Sequence, residues 1–228
     1  MKNKYRILYV LMFLPLFVTA IALPFFPDKI PAHYNAAGDI TRWGSKYEHL
    51  IIPIFTIVIG LVLLVITKYS RKIESGKYSN EKVLLYATMG TLLLFNIMTY
   101  IFLYKAYFIS TNQSEPIKMD ISQFTFIGVG ILMCILGNIM PKCKLNSVIG
   151  FRTKWSMAND TVWFKSQRFG GISFIIGGVL MIIAGLFSKG IYSIIFSVTI
   201  LLIDTIICVV ASYVIYKKHN AQKELPKA

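Results

Sequence analysis

The sequence predicts an all-α membrane protein of six transmembrane helices, with both termini inside and a structured cytoplasmic loop between helices 4 and 5. Three observations carry this expectation. Of 228 residues, 56% are hydrophobic and only 15% are charged, a balance outside the range of soluble domains. The hydrophobic residues also gather into runs long enough to cross about 30 Å of hydrocarbon. Finally, the formal charge of +14 lies between and beside those runs, where membrane orientation accounts for it. Direct nucleic-acid binding is therefore not expected.

The predicted spans are residues 5–25, 50–67, 83–109, 121–140, 171–187 and 191–216. With the N-terminus inside, eighteen of the 24 Lys and Arg fall on the inner side, and each loop takes its expected side. The first span also fits a secretory signal, since a basic start leads into an apolar stretch ending in Ala20-Ile21-Ala22. Its run is longer than a signal core, so a retained helix is expected. The loop after it opens with Pro24, Pro27 and Pro31, which rule out a regular helix there. Ala36 to Asp39 reads as a turn, and Trp43 and Tyr47 read as interfacial anchors. His33, His49, Asp28 and Asp39 are ligand types for zinc, but their spacing is irregular and no helix puts two on one face. An ordered cap with a hydrogen-bonded His33 is expected instead of a metal site.

A short basic connector with a helix start at Asn80 leads to the third span, which carries Asn96; Asn138 sits near the inner end of the fourth. Such amides hydrogen-bond across helices for about 1 kcal/mol or less each. Asp204, near the middle of the last span, costs on the order of 2.5 to 3.5 kcal/mol to insert. Two readings stand for it. One is a structural hydrogen bond to Asn96 or to Ser and Thr of neighbouring helices, and the other is a proton or substrate site inside the bundle. Cys134 and Cys208 are expected as buried thiols; Cys143, beside a span, is either acylated or a free thiol.

Between the fourth and fifth spans, residues 137–171 form an island of polar and aromatic residues, too polar to span a bilayer and too rich in Trp, Arg and Asn for a tether. It divides into a helix end and turn, a Gly-Phe-Arg-Thr-Lys-Trp segment, and a short helix opened by Ser156 or Asn159 and closed by Gly170-Gly171. If residues 161–169 are helical, Thr161, Lys165 and Arg168 lie near one face, away from Val162, Phe164 and Phe169. That separation suits a helix lying on the membrane, held by anionic lipid. A docking surface for a cytosolic protein is the compatible alternative, because Trp and Arg dominate interface energetics. No paired nucleophile and base stands out, so an enzyme is not expected, and no cofactor is implied.

The spacing of Gly137-Asn138, Pro141, Asn146, Gly150, Arg152, Thr153, Trp155, Asn159, Trp163, Arg168 and Gly170-Gly171 resembles the signature of the SdpI-like family. Lys154 and Gln167 depart from it, standing where Pro and His are usual. The outer-loop pattern of Pro27, Ile30-Pro31, His33, Asn35, Gly38 and Trp43 resembles a domain of unknown function often found ahead of that family. The resemblance implies two three-helix membrane domains in a bacterial cell membrane. Residues 1–112 would carry the extracellular loop 26–49, and residues 113–228 the cytoplasmic signature loop 141–170. It implies immunity to a secreted peptide toxin met on the outer face, and recruitment of a cytosolic transcriptional repressor on the inner face. Asn138, Asn146, Gly150, Arg152, Trp155, Asn159, Trp163 and Arg168 are the docking candidates; His33, Asn35, Gly38 and Trp43 are the extracellular ones. A small proton-coupled transporter using Asp204 is the alternative function.

Overall fold

The computed structural model describes residues 2–35, 39–73, 80–111, 121–146 and 148–224. Its helices are α1 (Lys2–Ala22), α2 (Ile51–Ile73), α3 (Glu81–Ser110), α4 (Ile121–Ile139), α5 (Asp160–Phe187) and α6 (Gly190–Glu224). All six are long and apolar enough to cross a membrane. Several differ from the predicted spans because a helix does not stop where its apolar run does. α2 and α6 continue into basic sequence, while α1 gives way to a 3-10 turn over Leu23–Phe25, where Pro24 enters.

The first three helices pack around Leu8, Met12, Leu64, Leu85 and Leu92. Asn96 crosses this bundle, donating to the Leu11 carbonyl at 2.7 Å and accepting from the Tyr100 hydroxyl at 2.9 Å. At one end the loop after α1 forms an antiparallel hairpin, β1 (Lys29–Tyr34) and β2 (Ile40–Ser45). The sequence reading did not anticipate the strands, and the turn it expected at Ala36 to Asp39 lies largely outside the described residues. Proline and β-branched residues suit an edge ribbon better than a helix, and Ile30 buries against Phe26, Leu103 and Ala106. Ser45 and Glu48 then form a capping box, and Glu48 accepts both arms of Arg42 at 3.0 and 2.7 Å.

The tightest seam joins α4 to α5. On α4, Gln123, Gly130 and Gly137 recur every seven residues, as do Gly171, Gly178 and Gly185 on α5. A seven-residue repeat keeps one face of each helix against its partner. A Cβ built on Gly137 would lie 2.5 Å from the Gly171 carbonyl oxygen, and the reverse approach is also 2.5 Å. Gly130 and Gly178 repeat this at 2.6 Å in both directions. On the third rung Gln123 Nε2 donates to the Gly185 carbonyl at 3.0 Å. Gly170-Gly171 therefore does not close a short helix as expected. The pair lies inside α5, where close packing offsets the cost of glycine in a helix.

Replacing Gly137 or Gly171 by Val is expected to destabilise the protein by about 1–3 kcal/mol, the usual range for overpacking. Thermal unfolding in detergent should show a lower midpoint for either variant. Gly90→Ala is the control, because its nearest obstacle is the end of the Leu132 side chain at 3.3 Å.

Candidate functional site

Just beyond the Gly137–Gly171 contact the chain leaves α4 and folds back over the same two helices. A 3-10 turn over Met140–Lys142 starts the return. Asn146 then ties a knot: its amide donates to the carbonyls of Lys144 at 2.6 Å and Ile149 at 2.9 Å, and its oxygen accepts from the amides of Val148 at 2.6 Å and Ile149 at 2.7 Å. An Asn side chain reproduces a backbone turn in this way. Gly150 follows at φ 114, and a Cβ there would lie 2.9 Å from both the Trp163 ring and Gln167 Oε1. Glycine fits because the backbone is left-handed and the space is already occupied.

The next segment is clamped from α5. Gln167 accepts from the Phe151 amide at 2.9 Å and donates to the Phe151 carbonyl at 2.8 Å. Thr153 and Ser156 exchange side-chain to backbone bonds at 2.8 and 3.0 Å. Asn159 opens α5 as N-cap, accepting from the Val162 amide at 3.0 Å. Trp163 is 1% exposed and donates its indole N–H to the Cys143 carbonyl at 2.8 Å. The Cys143 thiol is buried beside it, and burial pushes its pKa up to about 11. Such a thiol is a structural group and a poor nucleophile.

Two further contacts join the loop to the rest of the bundle. The Asn80 side chain pairs with the Lys144 backbone, accepting at 2.9 Å and donating at 3.3 Å, which links the start of α3 to the loop. Thr153 and Ser212 share a 3.0 Å hydroxyl contact, and Trp155 meets Tyr213 edge-on with ring centres 5.1 Å apart, which links the loop to α6.

Residues 142–216 match the model of the SdpI/YfhL protein family. Residues 10–57 match a domain of unknown function, DUF1648. The chain is 28% identical over 211 residues to the Immunity protein SdpI of Bacillus subtilis (strain 168), covering 91% of this chain and 93% of that protein. No solved structure matches the chain. With its six apolar helices it is a multi-pass bacterial membrane protein.

The predicted docking residues separate into two groups. Asn146, Gly150, Asn159 and Trp163 build the loop, and Asn146 and Trp163 are buried. Arg152, Arg168 and Asn138 are exposed, and Trp155 is half-buried against Tyr213. Trp163 is therefore not the surface residue expected of a docking candidate, because its ring fills the space between α5 and the loop. The expected membrane-surface helix over residues 161–169 is the first part of α5, and it buries Val162, Trp163, Ser166, Gln167 and Gly170. Its exposed side carries Thr161, Phe164, Lys165, Arg168 and Phe169. Sequence reasoning noted Gln167 only as a departure from the family and missed its role as a clamp. It also missed the pairing of Thr153 with Ser212.

At the hairpin end, the Asp39 amide donates to Asn35 Oδ1 at 2.8 Å. His33 Nδ1 lies 2.6 Å from the Thr41 hydroxyl, and Trp43 is 51% exposed. Gly38 lies outside the described residues. The four residues weighed as zinc ligands go to separate partners: Asp28 pairs with Lys46 at 3.0 Å, His49 packs on Phe26, and His33 and Asp39 bond within the hairpin. Among the described residues no group of three His, Cys, Asp or Glu side chains is placed to hold a metal ion.

Asp204 is 6% exposed and accepts a hydrogen bond from the Ser173 hydroxyl of α5. It does not meet Asn96, which serves the first bundle, so the expected cross-helix bond comes from a serine.

Trp163→Phe keeps the packing but strands the buried Cys143 carbonyl, a loss of about 1–3 kcal/mol that should appear as a lower thermal midpoint. Arg152→Ala should leave the midpoint unchanged, since exposed side chains contribute little. Cys143 in the folded protein should react with a membrane-permeant maleimide at pH 7 on the order of a hundredfold more slowly than in the denatured chain. Equal rates would show that its burial is transient.

Proposed function

We propose that this protein is a membrane immunity protein that protects its cell from a secreted antimicrobial peptide and signals by recruiting a cytosolic transcriptional repressor. The observation that carries this reading is the similarity to the Immunity protein SdpI, which runs through nearly the full length of both chains. The distribution of Lys and Arg supports an inner location for both termini and for the SdpI-family loop. That loop offers exposed Arg152, Lys154, Lys165 and Arg168 on a frame fixed by hydrogen bonds. Exposed cations and a half-buried Trp155 on a rigid support suit a protein partner, because little conformational freedom is lost on binding. The outer hairpin, with exposed His33, Asn35 and Trp43, is the surface for the toxin.

Expression in a peptide-sensitive Gram-positive strain should raise survival across a graded dose of the killing peptide. Arg152→Ala combined with Arg168→Ala should abolish recruitment of the repressor to the membrane while protection persists. His33→Ala combined with Trp43→Ala should lower protection while the protein stays in the membrane. Absence of protection at every dose, with the wild-type chain in the membrane, would overturn the immunity reading; unchanged recruitment by the Arg double variant would remove the loop as the docking surface.

A further inference from the structure

We propose that the cavity between α5 and α6 is a binding site, at mid-membrane depth, for a protonated primary amine carried on an apolar chain, with Asp204 as its counter-ion. The cavity has a volume of about 300 Å³, at the lower end of the range for small-molecule sites. Its walls are Ile172, Ile176 and Leu180 of α5 and Ile200, Ile203 and Ile207 of α6, and the lining includes no basic residue.

Asp204 supplies the one charge-bearing group in this lining. An ionised carboxylate accepts about four hydrogen bonds. Among the described residues, Asp204 has one hydrogen-bond partner, the Ser173 hydroxyl on Oδ1. Neither ion pair of the described residues includes Asp204. A buried carboxylate with open acceptor sites and no cation beside it is complementary to an ammonium group, which has three donors and no acceptor.

The way in determines the rest of the ligand. Ile172, Ile176 and Ile203 at the rim are 53%, 57% and 52% exposed, on the side of the bundle that faces lipid. A molecule entering there crosses hydrocarbon, so its body must be apolar. The ammonium then replaces water with a carboxylate partner at a depth where each alone is costly. This site does not rest on the immunity reading, because a chain that gives no protection still presents the same cavity.

The test is saturable binding of radiolabelled dodecylamine to the full chain in phosphatidylcholine nanodiscs, with empty nanodiscs subtracted. Binding is expected, with Asp204→Asn weakening it by about tenfold or more and Asp204→Glu retaining most of it. Ile203→Trp, which fills the cavity without touching the carboxyl group, should weaken it as well, and dodecanol should fail to compete. Should Asp204→Asn not fold, Asp204→Glu and Ile203→Trp decide. Equal binding by wild type and Ile203→Trp, effective competition by dodecanol, or no binding above empty nanodiscs would each overturn the proposal.

Discussion

The close approach of α4 and α5 is the constraint on which the rest of this molecule depends. Without side chains at Gly130, Gly137, Gly171 and Gly178, two backbones meet at distances that no Cβ would permit. In hydrocarbon, where lipid tails satisfy apolar surface as well as protein does, such contact supplies dispersion that larger residues could not. The seam continues as far as Gly137 and Gly171, so the loop that follows starts and finishes at fixed points. Gly170 extends the arrangement, since a Cβ there would fall 2.7 Å from the Met140 methyl group.

From those fixed points the loop is folded by hydrogen bonds that replace regular secondary structure. Asn146 and Gln167 each satisfy both a donor and an acceptor of the backbone, and Trp163 satisfies one more carbonyl. Buried backbone polar groups are costly unless paired, so these side chains are framework. The framework also reaches outward. Asn80 connects the loop to the first bundle at Lys144, and Ser212 connects it to α6 at Thr153, beside Arg152 and Lys154.

α6 sorts its residues by face. Ser193, Ser197, Asp204, Cys208 and Ser212 are all buried, whereas Ile195, Leu202, Ile206 and Val210 are exposed. This reverses the soluble pattern, as expected where the surrounding solvent is hydrocarbon and polar groups facing it are costly. Asp204 is the extreme case, and its place at a cavity wall follows from the same sorting.

The sequence by itself determined the number of spanning helices, the placement of charge between them, and a start of α5 at Ser156 or Asn159, of which Asn159 is the N-cap. These are properties of local composition and local hydrogen bonding, and each is legible over a short window. Tertiary structure decided the continuity of α5 through Gly170-Gly171, a pair that reads as a stop until α4 is seen to need the space. It also turned Trp163 inward, because a neighbouring carbonyl offers its indole N–H a partner that a surface position lacks. The pairing of β1 with β2, and of Asp204 with Ser173, likewise depends on residues brought together from separate segments. Hydrophobic patterning states which residues leave water; which neighbours they then meet is fixed by packing across the whole bundle.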